Sequence, residues 1–445
     1  MNVVHSDSRI RYALSVLLNQ EADTFEVPAW LSYGPASAVP EVSRVHFVAS
    51  DFFGQAYGTP ESLPALPPST IDGVPILFGR PVSERRGNVL LVHADIVASA
   101  YFMTTRYEEW IRSDVRDEHG RFPGRQSYAA RARFIDRPVV DEYSRLLRDW
   151  AGQAGVTVPG PARRFSVLLT HDVDSLGPPS GIIPVLKAAA RGLTRRVPAR
   201  EGLREVAWAA RIRQHPRDNL ATVMALDARL IDAAGPERCR AMYFFIADGR
   251  TEHDAKYRIR SRRIRKRLAA VLESGASVGL HTSYAAGADR ALIDAERRTL
   301  VQVTGRDIDA NRHHFLRWRE VRHGEAVRAG GIRWDSTLGY SDVAGFRLGV
   351  CRPIALFDPA ARCLFGIEEH PLIVMDCTLD RRDCMHLDEA SAFDYVRRLA
   401  NAVHAHQGEF VALWHNTELV PRSRTYHHRV YPRVLAHLAE LMRCG

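Results

Sequence analysis

Past residue 164 the apolar positions fall into two alternating patterns. Short apolar runs, each bounded by turn or polar residues, read as buried strands over 165–170, 242–246, 277–280, 313–316, 332–336, 372–375 and 410–414. Between them, apolar residues recur every three or four positions, which predicts helices over 219–234, 261–273, 286–303, 390–404 and 429–442. Alternating strands and helices imply a parallel sheet, closed or open. Residues 186–213, rich in Arg and Ala, read as an exposed helical excursion after the first strand, with a lip over a site as the lesser reading.

The first 150 residues are patterned differently. Arg9 to Leu18 reads as a short helix. Residues 24–80 are rich in Pro, Gly and Ser and hold short apolar runs at 45–48 and 74–78, which suggests strands and loops. Ile96, Ala100, Met103, Tyr107 and Trp110 recur at spacings of four and three, one face of a single amphipathic helix, with Glu108 and Glu109 at its solvated edge. Asp136-Arg137-Pro138 opens a further helix through Leu147 and Trp150. The expected organisation is a smaller α+β unit over residues 1–150, a Gly- and Pro-rich linker over 151–164, and the strand–helix unit over 165–445.

Composition narrows the class. The chain has 445 residues, 46% hydrophobic and 25% charged, as a globular protein does. The net charge of +9 comes from Arg interleaved with Asp and Glu, a solvated basic face rather than a patch for nucleic acid or a membrane surface, with attraction to anionic ligands such as phosphorylated sugars as a milder inference. All six cysteines lie past residue 238 and none forms C-x-x-C, so free thiols in a reducing compartment are expected. The first twenty residues lack a signal-peptide core and no run of eighteen apolar residues exists, so the reading is cytoplasmic, with no membrane span.

The chemistry collects where strands end. The first run closes in Thr170-His171-Asp172-Val173-Asp174, two carboxylates at i, i+2 that share one side of an extended chain. Two such carboxylates repel, and a divalent metal or a shared proton relieves the repulsion. The next runs end in or carry His281, then Arg312, His313 and His314, then Asp335, then Asp376, and finally Trp414-His415-Asn416. In a parallel sheet these ends meet on one rim. Asp, His and His form a three-ligand set for zinc with a fourth position open. His171 lies on the opposite strand face and is structural.

Residues 165 to about 420 resemble the polysaccharide deacetylase (NodB homology) family of carbohydrate esterases. Thr170–Asp174 resembles the D-x-D variant of that family's first motif, which implies Asp172 as catalytic base and Asp174 as metal ligand. His281-Thr282-Ser283-Tyr284-Ala285 matches its H-[ST]-x-x-H motif, with the first His as ligand and Ala285 in place of the second. His314 is assigned to the missing ligand place, because His313 points the other way on a strand. Arg312-His313-His314-Phe315 matches the motif whose Arg, here Arg312, steadies the base. Leu413-Trp414-His415 matches the last motif and implies His415 as acid. Asp376 either orients His415 or caps a helix. Tyr284 either lends its amide to an oxyanion or packs its ring, and Arg347 is placed on a substrate-side loop. Residues 102–110 and 136–140 resemble the N-terminal domain that precedes this deacetylase type in some bacterial proteins, a supporting or substrate-shaping unit.

The resemblance implies a distorted (β/α)7-type barrel of parallel strands behind the α+β unit. It implies a metal-dependent hydrolase that removes acetyl groups from an N- or O-acetylated sugar or polysaccharide precursor, free or nucleotide- or lipid-linked. Its cofactor is a divalent metal, zinc first. The rivals are a non-sugar amide hydrolase on the same fold and a non-catalytic carbohydrate-binding scaffold, which Ala285 favours. Gly275-Ala276-Ser277-Val278-Gly279 fits G-x-S-x-G, but Ser277 opens a strand, where a nucleophile elbow needs a strand-to-helix turn. Nucleotide-phosphate motifs are absent.

Overall fold

Two main sheets organise the chain, and one of them gathers the polar strand ends. The computed structural model describes residues 7–177, 182–194, 198–210, 212–249, 251–255, 257–421 and 425–443. In chain order the early strands are β1 (Leu31–Gly34), β2 (Val45–Val48), β3 (Ser69–Ile71), β4 (Val74–Ile76), β5 (Gly79–Arg86) and β6 (Val89–Ala94). The first sheet has the order β1-β2-β6-β5, parallel except for β5, while β3 and β4 form a separate hairpin. The helices Ser8–Leu18, Ile96–Thr104 and Val139–Gln153 pack against it. Trp150 meets Phe47 edge to face at 5.8 Å, which seats the last of these on β2.

The amphipathic pattern from Ile96 to Trp110 is two helices rather than one. Arg106 adopts φ 54° and separates Ile96–Thr104 from Tyr107–Ile111. The break turns the acidic pair inward. Glu108 accepts from Tyr128 N at 2.6 Å and pairs with Arg112, and Glu109 pairs with Arg347. Both carboxylates are buried, so the solvated edge read from the sequence is corrected. Arg347 is corrected with it: its guanidinium grips Glu109 inside the protein and faces no substrate.

The second sheet holds β7 (Ser166–Val173), β8 (Cys239–Phe245), β9 (Ser277–Thr282), β10 (Ala310–His313), β11 (Trp334–Asp335), β12 (Ile354–Asp358), β13 (Cys363–Glu369), β14 (Val374–Met375) and β15 (Glu409–Leu413). Their order is β12-β13-β11-β10-β9-β8-β7-β15-β14, and every ladder is parallel except β12–β13. The ladders therefore show a curled, mostly parallel sheet with ends at β12 and β14. The hairpin β12–β13 was not read from the sequence, because the buried Glu369 occupies a core-facing position and disguises the period-two pattern.

Boundaries shift where polar residues are buried. The strand expected at 313–316 is instead Ala310–His313, followed by a tight turn in which Phe315 and Leu316 have φ 63° and 52°. Asn311 and Arg312 lie inside the strand, fully buried, because Asn311 bonds Asp335 and Thr282 and Arg312 bonds Thr170 and Ser336. The helix expected from residue 286 starts at Arg290, where Asp289 accepts from the amides of Ala291 and Leu292. The Arg-rich excursion is a helical pair, Ile182–Leu193 and Ala199–Ala209. Among the described residues no helix is long and apolar enough to cross a membrane.

Candidate metal centre

The register of the parallel ladders sets the rim. Thr170 pairs with Leu413, and Leu413 with Met375, so Asp172, Asp174, His415 and Asp376 all emerge just beyond one level. On the other side Arg312 pairs with His281. A flat sheet would hold β10 and β15, four ladders apart, at about 19 Å. Yet His314 Nε2 and His415 Nε2 each lie 3.7 Å from a carboxylate oxygen of Asp174. The sheet curls, and its concave face brings distant strand ends to one carboxylate.

The structure brings together all six residues singled out from the sequence. His281 Nε2 lies 3.5 Å from Asp174 Oδ1 and 3.5 Å from Asp172 Oδ2. One ligand atom from each of Asp174, His281 and His314 lies within 4.8 Å of the others. His281 donates from Nδ1 to the Arg312 carbonyl at 2.8 Å, so in the neutral ring Nε2 carries the lone pair that faces Asp174. His314 turns Nδ1 toward Asp254 Oδ1 at 3.4 Å and leaves Nε2 to Asp174. His313 points away and bonds the Gly287 carbonyl, and burial pushes its pKa down to about 4.

The fit to a cation is read from orphaned atoms. His281 Nε2, Asp174 Oδ1 and Asp172 Oδ1 are buried with no hydrogen-bond partner among the described residues. Each such atom costs about 1–3 kcal/mol when left unpaired. A divalent cation satisfies His281 Nε2 and Asp174 Oδ1 together, whereas Asp172 Oδ1 faces the Arg312 guanidinium, and a carboxylate with two imidazoles suits zinc. Burial alone would raise the Asp174 pKa, but the imidazoles of His281, His415 and His314 outweigh it and hold the carboxyl well below its ordinary range. Burial lowers the His281 pKa, and Asp172 and Asp174 overcome it to hold the ring above its ordinary value.

Arg312 has no exposed surface. Its guanidinium is fixed by Ser336 O, Ser336 Oγ and Thr170 Oγ1 at 2.8–2.9 Å, rests 4.8 Å above the Phe244 ring, and stands 3.5 Å from Asp172 Oδ1. Gly279 makes room for that ring, since a Cβ there would lie 2.5 Å from Phe244 Cε1. His415 is held by Asp376, which accepts from His415 Nδ1 at 2.7 Å and from its amide at 2.6 Å. Burial lowers the His415 pKa, but Asp376 keeps it well above its ordinary value. Asp376 thus orients His415 while also opening the helix Asp376–Asp380.

Asp376, Cys377 and His415 form a second group close enough to hold a metal. Their lone pairs are already spent on each other, and burial first, then Asp376, pushes the Cys377 thiol up to about 11. The group reads as a carboxylate–imidazole pair.

Two residues that matter here carried no signal in the sequence. Asp254, buried between β8 and β9 in chain order, accepts from Tyr284 N at 2.6 Å and from Thr251 while it faces His314. That bond corrects the reading of the Tyr284 amide as an oxyanion donor. The ring of Tyr284 packs against His253 and under the Arg317 guanidinium instead. Arg121, far upstream, bonds Phe315 O at 2.9 Å and lines the site pocket. That pocket, about 120 Å³, is bounded by Asp172, Asp174, His314 and His415, with Arg121, Met375 and Arg381 at its walls. His171 is structural, bonded to Trp414 O and Asp227.

Comparison with known proteins places only part of the chain. Residues 4–154 match a family described as "Family of unknown function (DUF7033)". No curated protein matches. Among solved structures the chain is similar to a candidate polysaccharide deacetylase from Mycobacterium smegmatis, at 14% identity and TM-score 0.38, covering 63% of this chain and 86% of that one. It is similar to a family 4 carbohydrate esterase from Streptomyces lividans in complex with acetate, at 12% identity and TM-score 0.29, covering 63% and 91%. A mutant of a CE4 family pseudoenzyme with restored enzymatic activity aligns at 11% identity and TM-score 0.29, covering 63% and 64%. These scores are below 0.5, and the site stands on its own geometry.

Proposed function

We propose that the protein is a metal-dependent deacetylase acting on an N- or O-acetylated sugar or polysaccharide precursor. One observation carries the reading. Buried, unpartnered atoms of Asp174 and His281 face each other across 3.5 Å, and the flanking base and acid each have a dedicated brace. The family resemblance of the strand-end motifs supports it, as does a barrel-like reading of the curled sheet. Residues 1–150 are read as an accessory unit and 165–445 as the unit that bears the site, joined by 151–164. Arg121 makes the first unit a wall of the pocket.

Asp174, His281 and His314 would hold the cation. A divalent metal such as zinc supplies Lewis acidity there. Asp172 accepts the proton of an attacking water, and the Arg312 guanidinium stands 3.5 Å from its Oδ1 and fixes its place. His415, kept protonated by Asp376, donates from Nε2 to the departing amine or alcohol. The pocket is smaller than the roughly 300–1,000 Å³ that encloses a drug-sized ligand. It admits an acetyl group while the sugar ring rests at the mouth.

The test is acetate release. Chelator-stripped protein reloaded with zinc is given N-acetylated amino sugars, O-acetylated sugars and simple amides. Release from sugars alone supports the reading. Release from amides alone moves the substrate class, and no release with no zinc uptake leaves a carbohydrate-binding scaffold.

A further inference from the structure

We propose that the helical pair Ile182–Leu193 and Ala199–Ala209 seats the protein on an anionic lipid surface. Nine large apolar side chains are exposed among the described residues; five of them, Ile182, Ile183, Leu186, Leu193 and Leu203, lie on this pair and a sixth, Ile212, lies three residues past its end. Their exposures run from 63% to 85%, so water faces a patch of aliphatic surface where a globular fold normally hides it. Ile182, Leu186 and Leu193 follow helical spacing and share one face of the first helix.

The charge around the patch selects the occupant. Among the described residues of 182–213, Lys187, Arg191, Arg200, Arg204 and Arg213 stand against Glu201 and Glu205, a net excess of positive charge. Arg191 pairs with Glu205 at 2.8 Å, whereas Lys187, Arg200 and Arg204 make no ion pair among the described residues. Exposed aliphatic side chains beside unpaired cations are the composition of helices that lie in the headgroup region of a bilayer. Each basic residue near an anionic leaflet adds to the attraction. A second copy of the chain would bring the same positive surface against this one, which argues against self-association. The pair leaves the sheet at the end of β7 that carries Asp172 and Asp174 and begins eight residues past Asp174. Docking there holds the site's strand end next to a membrane surface.

Full-length protein sedimented with vesicles tests this. The probes are large vesicles of phosphatidylcholine alone and of phosphatidylcholine with one-third phosphatidylglycerol, at low ionic strength. The protein is expected to pellet with the mixed vesicles and to release on raising salt. Ile182→Ser with Leu186→Ser, and separately Lys187→Glu with Arg204→Glu, should each weaken pelleting by about tenfold or more while the thermal melt is unchanged, since these side chains lie outside the core. Failure to pellet with anionic vesicles overturns the proposal, as does equal pelleting of all variants. A dimer that the serine variant abolishes, without vesicle binding, overturns it in favour of self-association. Vesicle binding needs neither metal nor turnover, so its outcome is separate from that of the acetate assay.

Discussion

His281 Nε2 faces Asp174 Oδ1 across 3.5 Å, and neither buried atom has a hydrogen-bond partner among the described residues. Two groups held in this way are arranged for a third. Stripped protein should therefore bind one zinc ion, measured by calorimetric titration. His281→Ala and His314→Ala should each abolish tight binding. Asp254→Asn replaces the carboxylate that faces His314 Nδ1, and that also accepts from Tyr284 N and Thr251, and should weaken zinc affinity by about 10–100-fold. Unchanged affinity in His314→Ala would remove that ring from the ligand set.

Asp172→Asn keeps the shape of the side chain and deletes the base. Turnover should fall by about 10²–10⁴-fold, with zinc still bound and the melting temperature near that of the parent. Turnover that survives the change would assign the proton to another group.

The pair Arg347–Glu109 joins residues 238 positions apart with bonds of 2.9 and 2.5 Å, and both side chains are almost wholly buried. Removing one partner strands the other charge. Glu109→Leu or Arg347→Met alone should cost about 3–5 kcal/mol in urea unfolding. The double variant should recover most of that loss, because the uncompensated charge is gone. Additive losses would show that the pair does not act as a unit.

Glu296 supplies a pH dependence. Burial first, and the nearby Asp254 and Asp248, lift its pKa to about 7 against the Ser283 bonds that lower it. A carboxyl raised in the folded state binds more protons folded than unfolded between about pH 4.5 and 7. Its contribution is therefore fully present below about 4.5 and is lost as pH rises through 7. Unfolding free energies at pH 5 and pH 7.5 should differ more in the parent than in Glu296→Gln, by about 2 kcal/mol. Equal differences would mean that Glu296 titrates normally.

The sequence by itself determined the strand order of chemistry. Apolar runs that end in Asp172, His281 and His415 announce parallel strands whose tips are polar, because a buried strand must stop where its side chains need water or a partner. It also determined the face on which Asp172 and Asp174 sit, since period-two geometry is local. Only the tertiary structure decided that Glu108 and Glu109 turn inward, that Arg347 meets Glu109 rather than a substrate, and that Arg312 sits inside a strand. Those outcomes rest on tertiary partners, 238 residues away for Glu109 and Arg347 and 142 for Arg312 and Thr170, which no local pattern encodes. The roles of Asp254 behind His314 and of Arg121 in the pocket wall were invisible for the same reason. The curl of the sheet brings His314 and His415, four ladders apart, to one carboxylate, and curvature is a property of packed layers rather than of any single strand.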